Sequence, residues 1–244
     1  MAAPTSGRGA GGRRQRIPRP PGARAGEAAP WDRLAPERRQ GIGLDRVRGA
    51  MGGMGPAQPW PAAPYGRIPA AVLVALFEEK GESRVILTRR SDQLRSHTGE
   101  VSFPGGRLDP GEAPVAAALR EAGEEIGLAA EAVEILGQLP PLATVSSRSS
   151  ITPFVGVLTG RPVLKPNPAE VDLIFDVSLT ELAADGVHRE ERWHGPALAD
   201  RPELAHRAVH FFELPHDTVW GATARILHQF LALVLLGARP EEGA

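Results

Sequence analysis

From residue 70 to residue 77 the chain reads AAVLVALF, an apolar run with no polar interruption. A run of that length suits a strand buried on both faces. Residues 78–83 are polar and read as a turn, and residues 84–88 (RVILT) form a second strand, which predicts a hairpin. Residues 91–100 are polar and irregular, 101–103 are extended, and Pro104-Gly105-Gly106 breaks the segment. The hydrophobic period then becomes helical. Val115, Leu119, Ala122 and Ile126 make one stripe, Pro114 sits in the first turn where its missing N–H costs nothing, and Gly127 supplies the stop. Further strands are predicted at 133–136, 151–158, 171–177 and 209–214, and a long closing helix at 219–236 before Gly237. Strands mixed with two or three helices over about 170 residues describe one α/β domain with helices on both sheet faces.

Neither period survives in the first part of the chain. Gly, Pro, Ala and Arg dominate there, a composition that buries too little apolar surface to offset the entropy of ordering. The expected organisation is a disordered Arg/Gly/Pro-rich extension over 1–64, a domain over 65–238 and a flexible tail over 239–244. Charge sharpens the division. The formal net charge of -1 hides eleven arginines against four acids in residues 1–50, about +7, which leaves about -8 for the rest. The basic start admits a nucleic-acid-binding reading, although Trp31 is the only aromatic in those fifty residues. It also resembles an organelle transit segment, whose amphipathic helix the Gly and Pro would spoil. A start at Met51 or Met54 is a further alternative.

The chain has no cysteine, which excludes disulfide scaffolds, thiolate zinc sites and cysteine nucleophiles. No apolar run reaches the roughly 18 residues that span a bilayer; the long ones are 70–77 and 230–236. A cytoplasmic protein without membrane contact is expected, and a homodimer stays open.

Candidate chemistry lies in residues 106–128, GRLDPGEAPVAAALREAGEEIGL. Glu121, Glu124 and Glu125 are spaced i, i+3, i+4 and project from one side of the predicted helix. Like charges so placed cost an isolated helix about 0.2–0.5 kcal/mol per pair. Arg120 alone does not balance them, whereas a hard divalent ion with oxygen ligands does. The bland alternative, a solvated helix face, weakens because Gly105-Gly106, Glu112 and Arg120 flank the acids.

Those residues resemble the Nudix box, G-x5-E-x7-R-E-U-x-E-E-x-G-U, where U is a bulky or aliphatic residue. Gly106, Glu112, Arg120, Glu121, Glu124, Glu125, Gly127 and Leu128 occupy its fixed positions, and Ala122 is small for the first U. The resemblance implies a Nudix-type α/β/α sandwich with a mixed β-sheet and a catalytic loop-helix-loop. It implies hydrolysis of a nucleoside diphosphate linked to another group. Glu121, Glu124 and Glu125 would bind Mg²⁺ or Mn²⁺, with the Gly105 carbonyl as a further ligand. Glu121 is the first choice for the base and Glu124 the second, with Arg120 orienting Glu121. Glu112 would favour the helix dipole or bridge to metal-bound water.

The preceding segment resembles the signature of the coenzyme A pyrophosphatase subfamily, L-L-T-x-R-[SA]-x3-R-x3-G-x3-F-P-G-G. Thr88, Arg90, Ser91, Arg95, Gly99, Phe103, Pro104, Gly105 and Gly106 match, and Ile86 replaces the first Leu. Residues 167–171 (NPAEV) and 219–224 (VWGATA) also resemble stretches common there. The implied substrate is coenzyme A and its acyl derivatives, cleaved to 3′,5′-ADP and 4′-phosphopantetheine. Its extra 3′-phosphate calls for cations beyond the metal site, and arginine suits phosphate geometry. Arg89 and Arg90 alternate faces at a strand end, so one of them points into the site, and the match favours Arg90. Arg95 is the second substrate-binding arginine. Phe103 either stacks on adenine or anchors its loop in the core. His97 is a weaker loop candidate, and the other histidines have no ligand spacing and receive no role. Rival substrates within the fold are ADP-ribose, NADH and dinucleotide polyphosphates.

Overall fold

The apolar run at 70–77 becomes the centre of the larger of two sheets. The structure is a computed structural model that describes residues 15, 17–53, 68–91, 99–144, 148–193 and 208–237. Along these the chain forms β1 (Arg24–Ala25), α1 (Leu44–Gly52), β2 (Ile68–Glu79), β3 (Glu82–Arg90), β4 (Val101–Ser102) and β5 (Gly105–Arg107). There follow α2 (Pro114–Ile126), β6 (Glu134–Gln138), β7 (Leu142–Ala143), β8 (Ser149–Val157), β9 (Val171–Ser178) and α3 (Leu179–Leu182). The last elements are β10 (His188–Arg192), β11 (Ala208–Glu213), β12 (Thr218–Trp220) and α4 (Gly221–Leu236).

The larger sheet has the order β4-β3-β2-β8-β6, with β5 added to β2, β7 to β8 and β9 to β3. β2 runs parallel to β8 and antiparallel to β3, so the sheet is mixed. The continuous apolar run is explained by what covers each face. Leu73, Ala75 and Phe77 join a core with Ala117, Ala118, Ala122 and Ile126 of α2. Val74 and Leu76 join the other core with Ile226, Leu227 and Phe230 of α4. Side chains alternate across a strand, so one run feeds both layers. The smaller sheet, β1-β10-β11-β12, is antiparallel.

Several expectations are corrected. Residues 17–53 are not a structureless extension. Trp31, Ile42 and Val47 are fully buried and Met51 nearly so, in the same core as α4. β1 pairs with β10, and Arg46 donates to the carbonyls of Val234 and Leu235 at the end of α4. Four well-placed apolar side chains suffice because the surface that buries them is supplied by the rest of the domain. A local period is not needed for that. The turn at 78–83 narrows to Lys80 and Gly81, both at positive φ (56° and 78°), because the ladder continues through Glu78–Ser83 and Glu79–Glu82. This is the two-residue hairpin geometry whose twist matches the strands. The closing helix begins at Gly221, since Val219 and Trp220 pair with Phe212 and Phe211 as β12. No hydrophobic period marks β10, because HREER carries no apolar residue. Among the described residues no helix is long and apolar enough to cross a membrane.

Candidate active site

α2 is the platform of the site. Its first residue is Pro114, and its C-cap Gly127 takes the left-handed conformation (φ 68°) that the sequence called for. The buried stripe is mostly alanine, so the helix lies close on the sheet. Ala122, small for its motif position, is fully buried there. That close approach brings the polar side of the helix up to the β5 turn.

Two α2 carboxylates, Glu121 and Glu125, meet Glu170 there, with one oxygen of each within 4.8 Å of the others. Glu170 sits just before β9 in the stretch 167–171, to which the sequence reading gave no role. The fold delivers it through the backbone. The amide of Asn167 donates to the Glu125 carbonyl (2.8 Å), the amide of Lys165 to the Ile126 carbonyl (3.0 Å), and the amide of Ser91 to the Glu170 carbonyl (2.8 Å). Asn167 Oδ1 accepts from the Ala169 amide, closing an Asx turn. The signals in the sequence were the Asn-Pro turn pattern and the resemblance of 167–171 to a stretch common in the coenzyme A pyrophosphatase subfamily.

Glu125 is buried, 3 % exposed, and accepts from the Gly105 amide at 3.1 Å. Burial pushes its carboxyl up to about 7, against the pull of that amide and of Arg90. Burial likewise raises Glu121, opposed by Arg120. Three converging carboxylates with no nitrogen or sulfur donor fit a hard divalent ion. Charging the buried Glu125 without one is costly.

Two glycines make room. A Cβ on Gly105 (φ 152°) would lie 2.3 Å from the Ala71 carbonyl oxygen. One on Gly106 would lie 2.4 Å from the Glu121 carboxyl carbon.

Arg120 is the organising cation. Its Nε donates to Glu112 (2.9 Å), its Nη1 to Glu121 (3.0 Å) and Glu124 (3.1 Å), and its Nη2 to Glu112 and to the Arg107 carbonyl (both 3.1 Å). The Arg120 hydrogen bond to Glu112 lowers that carboxyl, helped by the Asp109 amide. Glu112 thus serves the site through Arg120 and the Asp109 turn. Glu124 is exposed, bound to Arg120, and outside the carboxylate trio.

The two strand-end arginines part as alternation requires. Arg89 is engaged by Asp172 and Asp217, whereas Arg90 brings Nη1 to 3.9 Å from Glu125 Oε1. Phe103 is 2 % exposed and packs in the core with Val101, which is the anchoring alternative; it offers no face for stacking on a base. Arg95 and His97 lie outside the described residues.

A mixed sheet between helices, with an arginine-clasped acidic helix on one face, has the loop-helix-loop arrangement that its motif implies. The NUDIX domain family matches residues 67–214. A protein of Photorhabdus laumondii called "Uncharacterized Nudix hydrolase NudL" is 42 % identical over 162 residues, covering 66 % of this chain and 81 % of that one. "Nudix hydrolase 3" of Caenorhabditis elegans is 36 % identical over 173 residues, covering 67 % and 72 %. Among solved structures, a MutT/nudix family protein from Enterococcus faecalis aligns with TM-score 0.45 and 18 % identity, covering 70 % of this chain and 62 % of that chain. The chain belongs to the Nudix family of hydrolases.

Proposed function

We propose that the protein hydrolyses the diphosphate bridge of coenzyme A and of its acyl derivatives, giving 3′,5′-ADP and 4′-phosphopantetheine or its acyl form. The observation that carries this reading is Arg90 beside the acidic trio, 3.9 Å from Glu125. It stands in the segment 86–106, whose match to the coenzyme A pyrophosphatase signature runs straight into the Nudix box. A guanidinium there can bind a substrate phosphate bidentately.

Glu121, Glu125 and Glu170 would hold Mg²⁺ or Mn²⁺, with Glu124 and the Gly105 carbonyl as further candidates. Such an ion neutralises phosphate charge and lowers the pKa of bound water. The chain's own residues do the positioning. Gly106 leaves the space that the Glu121 carboxylate fills, and Arg120 holds that carboxylate in place. Burial raises the proton affinity of Glu121, which suits it to take a proton from the attacking water. Glu124, tied to Arg120 and exposed, is the second choice for that role.

The test is turnover of coenzyme A, 3′-dephospho-coenzyme A and ADP-ribose, each with Mg²⁺ or Mn²⁺, with product analysis. Preference for coenzyme A and release of 3′,5′-ADP are expected. Equal rates on all three would overturn the substrate assignment, and no hydrolysis of any would overturn the activity.

A further inference from the structure

Three histidines that the sequence leaves scattered, at 188, 210 and 228, come together on the far side of the fold from the acidic trio's helix. They are carried by β10, β11 and α4. The β10–β11 register sets Glu190 opposite His210 and His188 opposite Phe212. His188 and His210 are therefore diagonal neighbours on one face. α4 crosses that face and adds His228. One nitrogen from each ring lies within 4.8 Å of the others.

We infer that His188, His210 and His228 form a second metal site, one for a borderline transition ion such as Zn²⁺, separate from the carboxylate site. His188 Nε2 and His210 Nδ1 stand 3.2 Å apart in a ring-to-ring hydrogen bond, which a bound ion would replace. Two nitrogens bound at 2.0–2.1 Å to a tetrahedral zinc are about 3.3–3.4 Å apart. Three imidazoles suit Zn²⁺, Ni²⁺ or Cu²⁺, whereas Mg²⁺ and Mn²⁺ prefer oxygen. This donor set therefore differs in kind from the acidic trio.

That one bond does not satisfy the whole cluster. His188 Nδ1 is buried with no hydrogen-bond partner, and so is the indole N–H of Trp31, whose ring packs 5.4 Å from His188 and 5.3 Å from His228. Buried polar atoms left unpaired are the exception in folded proteins. Glu190 Oε2 lies 4.0 Å from His210 Nδ1, on the side of the ring that faces His188, where it would stand beside a bound ion as an oxygen donor. Burial holds all three rings well below the ordinary histidine range, so each keeps a lone pair at neutral pH. The rings of His210 and His228 are stacked, 4.1 Å apart and 14° from parallel. Lone pairs lie in the ring planes, so two parallel rings do not point at one ion. Binding thus requires the His228 ring to turn, and the closed site would tie α4 to the β10–β11 pair.

The experiment uses the untagged full chain with Mg²⁺ in excess to occupy the carboxylate site. After equilibration with Zn²⁺ and dialysis, elemental analysis should find one zinc per chain in the wild type and in Glu125→Gln. Zinc should be lost in His228→Phe and in His210→Phe. Free Zn²⁺ at about a hundred times its dissociation constant should raise the melting temperature by about 5–10 °C in the wild type. Co²⁺ in the wild type should give the intense visible bands of a low-symmetry nitrogen site, a readout that does not depend on any variant folding. Absence of retained zinc and of the Co²⁺ bands would overturn the assignment. So would zinc retained in both histidine variants but lost in Glu125→Gln. Failure of coenzyme A hydrolysis bears on the carboxylate site and leaves this result unaffected.

Discussion

Gly106→Ala separates folding from chemistry. The added Cβ would stand 2.4 Å from the Glu121 carboxyl carbon and from Oε1, and 2.6 Å from Oε2. Carbon atoms pack at about 3.5 Å or more, so something must retreat by about 1 Å. The backbone has no reason to move. Gly106 is not at positive φ, and its pairing with Ala71 in the β2–β5 ladder is compatible with alanine. What yields is the Glu121 side chain, at the end of a flexible stem and held by Arg120. A displacement of about 1 Å in a catalytic group costs on the order of 10²-fold in rate, about 2.7 kcal/mol. Alanine loses less entropy on folding than glycine, so stability should change little. The assay is kcat/KM for coenzyme A with Mg²⁺ beside the melting temperature. Added to Glu121→Gln, the alanine should cost nothing further, because both act through one carboxylate. Near-wild-type activity in the single variant would refute the reasoning, and so would full additivity in the pair.

Three other outcomes are expected. In the metal-free protein, stability should fall as pH rises from about 4.5 to about 7, because folded Glu125 keeps its proton up to about 7 and must then bury a charge. Glu125→Gln should flatten that slope in denaturant titrations and remove most activity; an unchanged slope or unchanged activity contradicts the assignment. Trp31→Ala should destabilise by about 3–5 kcal/mol, since the ring is fully buried against α4 and the smaller sheet. Urea unfolding at wild-type midpoint would mean that residues 17–53 are not docked. Arg120→Lys should lose activity nearly as Arg120→Ala does, because one ammonium cannot span Glu112, Glu121, Glu124 and the Arg107 carbonyl. Rescue by lysine in a steady-state assay would show that only the charge matters.

The motif segments were legible because their chemistry is local. The spacing Pro114 to Gly127 specifies one helix and its ends, and the i, i+3, i+4 glutamates share a side by helical geometry alone. Even there the third dimension revised the trio. Glu170 enters through backbone bonds to the end of α2, and Glu124 turns out to Arg120. Phe103 illustrates the same limit. A Phe before Pro-Gly-Gly reads as a stacking face or, more safely, as an anchor, and its burial agrees with the anchor.

The sequence by itself determined the two-faced burial of 70–77, the capped acidic helix and the identity of the motif residues. Each of these depends on neighbours within a few positions, where the geometry of strand and helix is fixed. Tertiary structure alone decided that Trp31, Ile42 and Val47 belong to the core and that Glu170 joins Glu121 and Glu125. It alone brought His188, His210 and His228 within reach of one another. Those groupings join residues tens of positions apart. Burial and ligand geometry depend on distances in space that no local period of the chain encodes.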